Sequence, residues 1–122
     1  MIQALSSDIK NTLSTLCTFL DEQKAEDIIS FNVEGHCSFT DGMIIASSRS
    51  QRHMKAMAEK LKERLHHMGI KNVHIEGATS CDWVLIDGDC VVVHLFRQDI
   101  REYYNLEKIW NKDYLVESIT SS

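Results

Sequence analysis

Residues Asp82 to Phe96 read Asp-Trp-Val-Leu-Ile-Asp-Gly-Asp-Cys-Val-Val-Val-His-Leu-Phe. Two β-prone runs, Asp82 to Ile86 and Asp89 to Phe96, flank the dipeptide Asp87-Gly88. That dipeptide suits a two-residue type I′ turn, whose central positions both need positive φ. The turn predicts an antiparallel hairpin in which Leu85 faces Cys90, Val84 faces Val91 and Trp83 faces Val92. Side chains alternate along a strand, so the hairpin has two faces. One carries Val84, Ile86, Val91, Val93 and Leu95, and the other Trp83, Leu85, Cys90, Val92, His94 and Phe96. Both are apolar and both want cover. Either helices divide between the two faces, or part of the Trp83 face waits for a partner.

Outward from the hairpin, Ile2, Leu5, Ile9, Leu13, Leu16 and Leu20 recur at helical spacing and predict an amphipathic helix over residues 2–21. Ile28 to Val33 and Gly42 to Ser47 are β-prone runs. Ser50 can cap a second helix carrying Met54, Met57, Ala58, Leu61, Leu65 and Met68 on one face, which Gly69 ends. Val73 to Glu76 reads as a short strand, and a last helical stretch runs from about Asp99 to Asn111, with a break near Asn105. The order α-β-β-α-β-β-β-α predicts one α/β domain, a mixed five-stranded sheet with flanking helices. The domain spans 1–112, residues 113–122 form a short C-terminal tail, and Glu117 to Ser122 are expected to fray.

Composition narrows the partners. The 122 residues are 43% hydrophobic and 25% charged, as in an ordinary soluble domain. Acidic residues outnumber basic ones 18 to 13, a net charge of -5. A chain that grips nucleic acid by itself usually carries a basic surplus to displace counterions from phosphates. The expected partner is therefore a protein, and a basic one. No apolar run is long enough to span a bilayer, and no secretory signal is visible, so a cytoplasmic location with no membrane contact is expected. Cys17, Cys37, Cys81 and Cys90 show no disulfide framework and read as thiols.

Motifs that could carry chemistry are sparse. Asp87 and Asp89 could hold a divalent cation, as paired acids do in nucleotidyl transferases, but turn chemistry explains them without a metal. Those enzymes also cradle phosphate in a Gly-Ser turn shortly before the pair. The nearest analogue here, Ser47-Ser48, lacks the glycine and lies about forty residues away. His66 and His67 are adjacent on a helix and point apart, His36-Cys37 sits in a loop, and His94 in a strand reads as a hydrogen-bonded core residue. No cofactor, metal or catalytic residue is expected. Arg49, Arg52, Lys55, Lys60, Lys62 and Arg64 make the second helix basic, either as a solvated face or as a minor contact to RNA phosphates.

Several segments, in order, resemble the Iojap/RsfS family of ribosomal silencing factors. They are Lys24 to Ile28, Thr40 to Ser47, Ser50 to His53, Glu76-Gly77, Asp82 to Asp87, Val91 to Phe96, Arg101 to Tyr104 and Leu106 to Trp110. The match covers about residues 4–112. There are departures. In an ungapped comparison Asp89 stands at a usual glycine and Cys90 at a usual aspartate, Gly42 replaces a larger residue, and Ser48 stands where glycine is common.

The resemblance implies a nucleotidyltransferase-like topology without that enzyme's active site. It also implies a protein that docks on the large ribosomal subunit, on ribosomal protein L-fourteen, and obstructs joining of the small subunit when nutrients are short. Trp83, Phe96, Tyr104 and Trp110 are the candidate anchors, with Leu85 and His94 on the same hairpin face and Glu76, Asp82 and Glu107 as acidic complements to a basic partner. Two rivals remain at this level: a metal-dependent transferase, and a homodimer paired through the same sheet face.

Overall fold

The structure, a computed structural model, describes residues 6–35, 40–77, 82–98 and 115–119. Helix α1 (Ser6–Glu22) leads into β1 (Glu26–Asn32) and β2 (Gly42–Ser48), then α2 (Gln51–His67), β3 (His74–Glu76), β4 (Trp83–Asp87), β5 (Val91–Arg97) and β6 (Leu115–Ile119). The strands form one sheet in the order β3-β4-β5-β2-β1-β6. Among the described strands only β2 and β5 run parallel; every other neighbouring pair is antiparallel. A parallel pair needs a long crossover, and here α2, β3 and β4 supply it. The α/β class and the mixed sheet are as the sequence predicts. The predicted helix at Asp99 to Asn111 lies outside the described residues.

Local chemistry sets the helix ends. The Ser50 hydroxyl accepts the His53 backbone N–H at 3.1 Å, the N-cap predicted for α2. Past its last turn, Gly69 takes φ +91, and the Ile70 N–H reaches back to the Leu65 carbonyl at 3.0 Å. This closure satisfies carbonyls that the helix leaves without partners. Lys24 takes the left-handed role after α1, at φ 70, with the Ala25 N–H donated to the Leu20 carbonyl.

Both described helices pack on the same side of the sheet. Leu13, Leu16 and Leu20 from α1 and Met54, Met57, Leu61 and Leu65 from α2 meet Ile28, Ile44, Val84, Ile86, Val93 and Leu95 in one core. Helix α1 comes so close over β2 that a Cβ on Gly42 would lie 2.9 Å from Leu13 Cδ2. That contact gives a local reason for glycine at a position where the resemblance expects a larger side chain. On the other side, Phe31, Val33, Met43, Ile45 and Phe96 form a second, smaller core.

Two expectations are corrected. The hairpin register is Trp83 with Phe96, Val84 with Leu95, Leu85 with His94, Ile86 with Val93 and Asp87 with Val92, so the turn is centred on Asp89 and Cys90, two residues further along than predicted. The positive φ falls on Asp89 (φ 71), while the Gly88 N–H donates to the Val91 carbonyl and the Cys90 N–H to the Gly88 carbonyl, both at 2.8 Å. The Asp87 carboxylate accepts the Asp89 N–H at 3.1 Å, and the Cys90 carbonyl accepts from the N–H groups of Asp41 and Gly42 at 3.0 Å. The displaced turn thus hooks the start of β2. Each residue of β4 pairs four positions further along β5 than predicted, an even displacement that keeps the strand residues on their assigned faces, while Cys90, now in the turn, packs against the helix-side core and not on the Trp83 face.

The second correction concerns the tail. Leu115–Ile119 is a strand, β6, paired with β1 through Ile28 with Ile119 and Ser30 with Glu117, where fraying was expected from Glu117 onward. The backbone donors and acceptors of β1 on that edge are the physical reason, since an open edge favours a pairing strand.

Candidate partner-docking face

The β4–β5 hairpin and its neighbours line up in rows across the sheet. One row runs Glu76, Leu85, His94, Ile45, Ile29 from β3 to β1. A second runs His74, Asp87, Val92, Met43, Phe31. Trp83 and Phe96 begin a third. These rows share the face opposite α1 and α2. Val92, Met43, Ile45, Phe31 and Phe96 within them are buried. Toward the β3–β4 edge the face opens: Glu76 and His74 are exposed, and Leu85, Asp87 and His94 are half-buried. Trp83, 40% exposed, is the large apolar side chain most open to solvent among the described residues.

Trp83 is held from several sides. Its ring stacks on Phe96 with centroids 5.0 Å apart and planes 27° apart. The indole N–H donates to His94 Nδ1 at 3.1 Å. The His94 ring lies 5.9 Å from the indole and 6.1 Å from Phe96. Behind the strand, the backbone of Gly77 at φ +86 lies against the Trp83 carbonyl, where a Cβ would overlap the oxygen. Burial lowers the His94 pKa to about 4, so the ring is neutral at ordinary pH. A neutral ring that accepts at Nδ1 carries its proton on Nε2.

The candidate residues thus separate. Trp83, Leu85, His94 and Glu76 meet on one face. Phe96 has no exposed surface and supports the indole from beneath. Asp82 sits at the start of β4 and pairs with Arg97, Oδ1 to Nη2 at 3.4 Å, while the Arg97 N–H donates to the Asp82 carbonyl at 3.1 Å. Tyr104, Glu107 and Trp110 lie outside the described residues. Asp87, read from sequence as a turn residue or half of a cation-holding pair and not as part of the docking face, alternates with Leu85 and Trp83 and adds a second acid to the face. Period-two alternation from Trp83 carries that signal.

Other candidate chemistry is occupied elsewhere. The Ser48 hydroxyl donates to the Ser50 carbonyl at 3.3 Å, turned to the entry of α2. Burial pushes the Cys90 thiol pKa up, as do the nearby carboxylates of Asp41 and Asp89, against a backbone hydrogen bond that lowers it. Such a thiol is a poor nucleophile. Among the described residues no three His, Cys, Asp or Glu side chains gather into a metal-holding group, and no helix is long and apolar enough to cross a membrane. On α2 and its entry, Arg49 pairs with Glu26 at 3.1 Å and Arg64 lies 5.2 Å from the Phe19 ring centroid, while Arg52, Lys55, Lys60 and Lys62 are exposed or nearly so.

The family model described as "Ribosomal silencing factor during starvation" matches residues 6–121. The chain belongs to this family. The match includes β6. A ribosomal silencing factor from Zymomonas mobilis is 39% identical over 86% of this chain and 79% of its own length, and one from Bacillus subtilis is 37% identical over 83% and 86%. A crystal structure of a Bacillus halodurans protein superposes with a TM-score of 0.74 at 36% identity, covering 88% of this chain and 98% of that one. In the mouse, the protein named for mitochondrial assembly of the ribosomal large subunit is 34% identical over 83% of this chain, which spans 46% of that protein.

Proposed function

We propose that this silencing factor represses translation by binding rather than by catalysis. It docks on the large ribosomal subunit through ribosomal protein L-fourteen, in the cytoplasm, and blocks joining of the small subunit when nutrients are short. Membership of the silencing-factor family supports the role. The observation that carries the location is Trp83, a large aromatic 40% exposed on a sheet face whose centre is apolar. Interface hot spots favour tryptophan set among apolar neighbours that exclude water.

Glu76 and Asp87 at the open edge of that face would complement a basic ribosomal protein. Such charges act mainly on the association rate and are screened by salt. The exposed cations of α2 would make a secondary contact to ribosomal RNA phosphates. A contact of about 800 Å² per partner suffices for a specific complex. Steric occlusion needs no further chemistry.

Co-sedimentation with separated large and small subunits, followed by a subunit-joining assay, tests this. Binding to the large subunit alone with joining suppressed supports it. No binding at near-physiological salt, or sheet-face dimers that persist when ribosomal protein L-fourteen is added, would overturn it.

A further inference from the structure

We infer that His94 is a positioning residue, whose Nδ1 holds the Trp83 indole in the orientation in which it meets the partner. This rests on the docking face proposed above. The hydrogen bond from the indole N–H to Nδ1 spans 3.1 Å and joins adjacent strands, since Trp83 lies on β4 and His94 on β5. Phe96 fixes the ring plane by stacking at 5.0 Å, but stacking alone leaves the indole free to slide or turn over on the phenyl ring. The hydrogen bond removes that freedom. Ordering a rotamer-rich side chain on docking weakens binding by about two- to tenfold, and a ring already held avoids this loss.

The residue type fits the task. Leucine at position 94 would offer the indole N–H no acceptor. A carboxylate would accept it but would place a charge among Leu85, Ile45 and Phe96, where desolvation is costly. Neutral imidazole accepts without charge, and its burial keeps it neutral across the ordinary pH range. A further consequence concerns the partner. The indole N–H is donated inward, so Trp83 meets the partner as an apolar ring and not as a hydrogen-bond donor. Partner groups recognised there are aliphatic or cationic ones that lie on an aromatic ring.

The test compares His94→Leu, which removes the acceptor, with His94→Asn, whose Oδ1 stands near the place of Nδ1. Two quantities are read: the indole N–H resonance of Trp83, assigned by its absence in Trp83→Phe, and co-sedimentation with the large subunit. His94→Leu should move the resonance and speed its exchange, and weaken binding by about fivefold. His94→Asn should restore both. In the Trp83→Phe background, which has no indole N–H, His94→Leu should cause no further loss. A general loss of fold would weaken both backgrounds alike, so the cycle keeps the test decisive.

Unchanged binding by His94→Leu, when Trp83→Phe does weaken it, would overturn the positioning role alone. So would a His94→Asn protein with the resonance restored and binding still lost, because the imidazole itself would then touch the partner. Wild-type protein that fails to sediment with the large subunit would overturn the docking face and the positioning role together.

Discussion

Gly77 and Trp83 meet through their backbones: a Cβ at position 77 would overlap the Trp83 carbonyl oxygen and lie 3.4 Å from its carbonyl carbon. Gly77 also adopts φ +86, which side chains other than glycine adopt at a cost. Gly77→Ala should therefore destabilise the protein by about 3 kcal/mol, combining the conformational cost with a backbone overlap that no rotamer relieves. Urea unfolding measures it. A loss under about 1 kcal/mol would show that the backbone at Gly77 shifts without resistance.

Trp83→Ala should cost at least about 2 kcal/mol of large-subunit binding while changing the unfolding midpoint little. Exposure of 40% supports this separation, since much of the ring adds nothing to the core. A collapsed thermal transition in the variant would instead make the ring a core element.

Acid should weaken the fold through His94. Its pKa is lowered from 6.5 to about 4 in the folded protein, chiefly by burial, so between those values the unfolded chain binds more protons than the folded one. The stabilisation is whole above about pH 6.5 and is lost as pH falls through about 4, on the order of 3 kcal/mol in all. His94→Asn should flatten that limb of the stability profile. Chemical unfolding at pH 7, 5.5 and 4.5 reads the difference, and identical slopes in the two proteins would refute it.

Asp89→Gly should raise stability by about 0.5–1 kcal/mol. Asp89 takes φ 71 in the β4–β5 loop, at the position where the resemblance expects glycine, and glycine adopts that conformation without strain. The loop's hydrogen bonds from Cys90 and Gly88 are backbone ones and survive the change. A drop in the melting midpoint would count against the strain.

Side-chain periodicity made much of this fold legible. Leu13, Leu16 and Leu20, and Met54, Leu61 and Leu65, mark helix faces that bury as their spacing predicts. Parity made the hairpin faces legible too, because Val84 and Leu95 share a face under either register. The register itself was not, since Asp87-Gly88 resembles a two-residue turn while the loop is set by hydrogen bonds to β2 from elsewhere in the chain. Strand β6 was missed for a related reason. Leu-Val-Glu-Ser-Ile carries a weak alternation, and its pairing depends on a β1 edge that no local signal reveals. For the site, Trp83 and Leu85 could be placed on one face from sequence, but the burial of Phe96 and the His94 contact are tertiary facts.

The pairing of β6 with β1 joins Ile28 to Ile119 across most of the chain. During vectorial synthesis, β1 can form with β2 long before β6 exists, and its outer backbone groups then face water as an unfinished edge. The nascent protein thus carries a strand able to recruit a stray segment until residues 115–119 clear the exit tunnel.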